Sequence, residues 1–75
     1  MREVREVEIR DGMIRLGQLL KLAGVAEDGA HAKDLLEAGE VAVNGEVEHR
    51  RGRQIHPGDT IQAATTHLKV TTPTP

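Results

Sequence analysis

The chain has 75 residues, a net charge of -2, no cysteine and no phenylalanine, tyrosine or tryptophan. A chain this short buries only about 60% of its unfolded surface, so it forms one small domain with an economical, aliphatic core. The composition excludes a disulfide framework, cysteine-based metal or redox chemistry, and the stacking of bases on aromatic rings. The charged start MREVREVEIRDG is unlike a signal peptide, and no apolar run approaches the roughly 20 residues of a membrane span. A cytoplasmic protein without a membrane partner is expected.

Residues 6–10 alternate polar and apolar through Val7 and Ile9, a short strand ended by Asp11-Gly12. The first helix follows in MIRLGQLLKLAGV, where Leu16, Leu19, Leu20 and Ala23 recur at helical spacing. Gly24 closes it, with Val25 as a hydrophobic anchor beyond. Asp28 is a good N-cap for a second helix, which buries Ala32, Leu35 and Leu36 and stops at Gly39. Two short amphipathic helices are stable only when packed on something else.

A sheet supplies that support. Val41 and Val43 alternate before the strong turn signal Asn44-Gly45, and Val47 starts the return. A two-residue turn would pair Val43 with Glu46, and one extra loop residue would pair it with Val47. The stretch HPGD, residues 56–59, fits a type II turn. Strands follow at 60–63 and 68–70, and the tail TTPTP is expected to be disordered. The fold class is α+β: two short helices on a small, mostly antiparallel sheet. The organisation reads as an N-terminal strand in 1–12, the main domain in 13–70 and the tail in 71–75.

Charge is strongly partitioned. Residues 25–40 sum to -4 and residues 49–56, HRRGRQIH, to +3. A dedicated nucleic-acid domain often has a pI above roughly 9, against about 6.0 here. A partner feels local potential, however, and the clustering favours an acidic one.

In order, RLGQLLKLAG, DGAHAKDLLEAGEVAVNGEVEHRRGRQI and HPGDTI resemble the RNA-binding domain named after ribosomal small-subunit protein four, the S-four domain, over residues 15–61. The short stand-alone members are most similar. The resemblance implies two helices on a small sheet, binding of structured RNA (rRNA or tRNA-like, including within a ribosomal particle), and no catalysis. By position it implies contacts from Arg15, Lys33, Asn44, Gly45, Arg50, Arg51 and Arg53. The chain departs from the pattern at Asp28-Gly29, where many members have Ser-Arg, at Glu37-Ala38, where a basic residue or histidine is common, and at Gln54, where lysine is frequent. Each departure lowers the positive potential of the expected face.

The chemistry of the residues agrees in part. Arginine forks match phosphate oxygens. Lys21 could serve RNA or the helix dipole, and Lys33 could serve RNA or an i,i+4 pair with Glu37. A phosphate at the start of the second helix is opposed by Glu27 and Asp28. His31 and His49 could carry partial charge near a phosphate backbone. None of the four histidines stands in a metal-ligand spacing, so no metal or cofactor is expected. The RNA-binding set is therefore Arg15, Lys21, His31, Lys33, Asn44, Gly45, Arg50, Arg51 and Arg53, in a monomer. The competing reading, from the acidic stretch between Glu27 and Glu48, is a protein-interaction adaptor of the same fold.

Overall fold

The computed structural model describes residues 4–73. The elements are β1 (Val4–Glu8), β2 (Ile14–Arg15), α1 (Leu16–Leu22), α2 (Gly29–Glu37), β3 (Val41–Val43), β4 (Glu46–Val47), β5 (Gln54–Ile55), β6 (Thr60–Ala63) and β7 (Thr66–Thr71). Five strands form one sheet in the order β1-β7-β6-β3-β4, antiparallel throughout except for the parallel pair of β1 and β7. The fold is thus the expected α+β arrangement with a mostly antiparallel sheet. A separate two-stranded ribbon joins β2 to β5.

Both helices end as their sequences require. At the end of α1, Gly24 takes φ +75°, its N–H donates to Lys21, and the Val25 N–H donates to Leu20. At the end of α2, Gly39 takes φ +73°, and the N–H groups of Gly39 and Glu40 donate to Leu36 and Leu35. These paired bonds satisfy carbonyls that a helix end otherwise leaves open. At the other end of α2, the Asp28 carboxylate accepts the His31 N–H at 2.8 Å, as an N-cap should.

One face of the sheet meets the helices. Leu16, Leu19, Leu20, Ala32 and Leu36 share a buried cluster with Val41, Val43, Ile61, Ala63, Leu68 and Val70. Val7, Ile9, Ala26 and Ile55 complete it, while Val25 and Leu35 are only partly buried at its margin. The Arg5 guanidinium donates to the Ala23 carbonyl, tying β1 to the end of α1.

The hairpin register follows the two-residue alternative: Val43 opposes Glu46 and Ala42 opposes Val47. Asn44 and Gly45 take φ +51° and +88°, matching a tight turn that needs positive φ at both central positions. Val47 therefore lies on the outer face of the sheet and is 58% exposed. At HPGD, the Asp59 N–H donates to the His56 carbonyl at 3.0 Å and Gly58 has φ +94°, as the type II turn requires.

The expected tail begins too early. Thr71 is the last residue of β7 and pairs with Glu8, because the alternating pattern of Leu68 and Val70 has an available partner in β1. Thr72 and Pro73 have no regular structure, and 74–75 lie outside the described residues, as do 1–3 of the expected N-terminal strand.

Candidate nucleic-acid interface

The loop between β4 and β5, residues 48–53, carries the three arginines. Its carbonyls face the start of α1. Arg53 accepts the Leu16 N–H and Arg51 accepts the Gly17 N–H, both at 2.9 Å, while Gly52 accepts from the Arg15 guanidinium at 2.9 Å. The first N–H groups of a helix have no partner within it. Here the arginine loop supplies the partners, so its backbone is fastened to α1.

Glu48 holds the loop from within. Its Oε2 accepts the N–H groups of His49 and Arg50, at 3.0 and 3.1 Å, and the Arg50 Nε at 3.3 Å. Its Oε1 accepts Arg50 Nη2 at 3.2 Å and Arg53 Nη1 at 3.0 Å. Those contacts, led by the Arg50 guanidinium and followed by the Arg50 N–H and Arg53, hold the carboxyl down to about 2. The same pairing raises Arg50 further above its already high value. The Glu48 side chain is 11% exposed, whereas that of Arg50 is 75% exposed.

Arg51 is placed differently. Its aliphatic stem crosses Gly17, and its Nη1 lies next to Gly29 at the start of α2. Among the described residues it has no carboxylate partner. It lines a cleft of about 390 Å³ together with Arg15, Gly17, Gln18, Lys21, Gly29 and Gly52. No acidic residue among those described lines this cleft. Three cations drawn from β2, α1 and the loop thus converge on one concavity. Gln18 also accepts the Arg15 N–H at 3.3 Å, steadying the cleft wall.

The other expected residues lie elsewhere or are engaged. Lys33 pairs with Glu37 at 3.8 Å on the exposed side of α2, outside the cleft lining. The His31 ring Nδ1 is engaged in accepting the Glu27 N–H at 3.1 Å. The His49 Nδ1 lies 2.8 Å from the Leu36 carbonyl and must donate to it. Asn44 accepts the Thr60 N–H at 2.9 Å and donates to Asp59 at 3.1 Å, and Gly45 lines grooves away from the cationic cleft. Burial alone would raise the Asp59 carboxyl. The His56 N–H, the Asn44 amide and the charges of His56 and Arg53 together bring it below its ordinary value.

Of the residues expected from the sequence, Arg15, Lys21 and Arg51 line this cleft, but sequence reasoning treated the three loop arginines alike. It missed Glu48, counted only as one acid among many, and Gly17, although an isolated glycine in an apolar helical run signals a close packing contact.

Fold and site define a small α+β module with a cationic cleft between two helices and a loop. The chain belongs to the S4 domain family, whose model matches residues 7–71. It is 46% identical over 56 residues to the Probable ribosome maturation protein RlbA of Bacillus subtilis (strain 168), covering 75% of this chain and 79% of that protein. It is 43% identical over 51 residues to the Putative RNA-binding protein YbcJ of Escherichia coli (strain K12), covering 68% of this chain and 73% of that protein. The Uncharacterized protein YbcJ of Shigella flexneri matches with the same figures.

Proposed function

We propose that this protein binds structured RNA, rRNA or tRNA-like, without catalysing a reaction on it, and does so as a cytoplasmic monomer acting on a ribosomal particle. The observation that carries the reading is the convergence of Arg15, Lys21 and Arg51 on a cleft that no acid among the described residues lines, in a chain whose net charge is -2. Membership of the S4 domain family, and relatives named for RNA binding and ribosome maturation, support it. Guanidinium and ammonium groups gathered in a concavity suit phosphates that approach from two directions, as at a bend or junction. With no aromatic ring to stack a base, recognition rests on phosphate, sugar and shape.

The acids exposed on α2, Asp34 and Glu37, favour a second reading, a protein-interaction adaptor. One experiment separates the two. A fluorescently labelled RNA stem-loop and an unstructured strand of equal composition are titrated across a salt series. Structured-RNA binding predicts a preference for the stem-loop. Three phosphate contacts predict a log-log salt slope of about -2 to -3. Absence of binding at low salt rejects RNA and leaves the adaptor; equal binding of both strands rejects recognition of structure.

A further inference from the structure

We infer that Glu48 is a positioning residue for RNA: it commits Arg50 and Arg53 to holding the loop, which leaves Arg51 as the loop's phosphate-facing cation. The inference rests on the reading that the cleft takes RNA.

An acid beside a basic loop ordinarily weakens attraction for phosphate. The placement of Glu48 argues otherwise. Its carboxylate is almost covered, and its two oxygens take five donor contacts, close to the roughly four lone-pair sites a carboxylate offers. Every one of those donors belongs to residues 49–53 of the same loop. On the loop's other side, the carbonyls of Arg51, Gly52 and Arg53 are fastened to Arg15, Leu16 and Gly17. The backbone of the turn is thus gripped from both sides, and its one arginine outside the carboxylate's reach projects over Gly17 into the cleft.

The three arginines, interchangeable by sequence, then divide their work. Arg50 and Arg53 already face a carboxylate at 3.0–3.2 Å, so each is less able to neutralise an RNA phosphate and release the cation condensed there. Arg51 has no such partner among the described residues, and its charge is available in full. A glutamine at position 48 would make the net charge less negative, which simple attraction reads as tighter binding. It would also replace one acceptor oxygen with a donating amide that faces other donors, and the turn would lose its grip.

The test is the stem-loop titration across salt for the native protein, Glu48→Gln, Arg50→Gln and Arg51→Gln, each checked for folding by far-UV circular dichroism. Arg51→Gln should lower the salt slope by about one counterion, and Arg50→Gln by less than half as much. Glu48→Gln should bind roughly fivefold more weakly or worse, the net worth of about one hydrogen bond, despite its less negative charge. Equal slope losses for the two arginine variants, or Glu48→Gln binding as tightly as native, would overturn the inference while native binding kept the RNA reading intact. If Glu48→Gln fails to fold, the comparison of the two exposed arginines still decides. Failure of the native protein to bind would instead reject the RNA reading itself.

Discussion

Replacing Gly17 with alanine separates the fold from the cleft. In most helices alanine is better than glycine by about 1 kcal/mol. Here the new Cβ would collide with the Arg51 Cγ and lie 3.1 Å from its Cδ, but would stand 3.5 Å from the Arg51 carbonyl oxygen, an ordinary contact. The backbone therefore accepts alanine and the Arg51 stem does not. Its Cγ can leave only by rotation about Cα–Cβ, which swings the guanidinium away from Gly29 and out of the cleft. Packing lost with the stem is on the order of one methylene, about 0.8 kcal/mol, so gain and loss nearly cancel. Urea unfolding followed by circular dichroism should place Gly17→Ala within about 1 kcal/mol of native. Affinity for the stem-loop should fall about tenfold, the low end of the range for a hydrogen bond to a charged group. Combining Gly17→Ala with Arg51→Gln should add little to the loss from Arg51→Gln alone. Native affinity in Gly17→Ala would refute the seating of Arg51 on Gly17, and a loss of several kcal/mol in stability would refute the claim that only the side chain is displaced.

Two predictions concern the fold alone. Glu48 is held at about 2 against an ordinary 4.5, so its contribution to stability is complete above the unfolded value and is lost as pH falls towards the folded one. An acid titration should show native stability declining between about pH 5 and pH 2, with a shallower decline for Glu48→Gln; identical acid limbs would contradict this. Ala64 holds φ +54° in the turn between β6 and β7, where its Cβ is unfavourable. Ala64→Gly should stabilise the protein by about 0.5–1 kcal/mol in urea unfolding, and a destabilised variant would show that the turn gains more from alanine's restricted unfolded chain.

Legibility in the sequence followed the range of the interactions. The helices announced themselves because Leu16, Leu19 and Leu20 on one side, and Asp28 with Ala32 and Leu36 on the other, are local signals for local hydrogen bonds. Asn44-Gly45 marked its turn for the same reason, but the register waited on the pairing of β3 with β6, which is not local. The β2–β5 ribbon was hidden because two residues per strand carry no periodicity. The turn at Ala64-Thr65 lacks glycine, asparagine and proline, so the start of β7 was placed too late. At the candidate site, the cationic residue types were legible and their division was not. Whether an arginine meets solvent or a carboxylate depends on how residues 48–53 fold back on α1, and only the close succession of Glu48, Arg50 and Arg53 hinted at it.

The parallel pairing of β1 with β7 has a consequence for synthesis. β7 sits inside the sheet, between β6 and β1, yet is the last strand of the described chain. A nascent chain can form both helices and join β3 to β6 while Val7 and Ile9 still have no sheet to cover them. Only when β7 emerges from the exit tunnel can the earliest strand be clasped by the latest. Contacts of such long sequence separation slow folding and prolong the exposure of apolar surface. A chain cut short before residue 66 would therefore keep both helices and the β3–β6 pair, yet have no strand in its sheet to receive the first one.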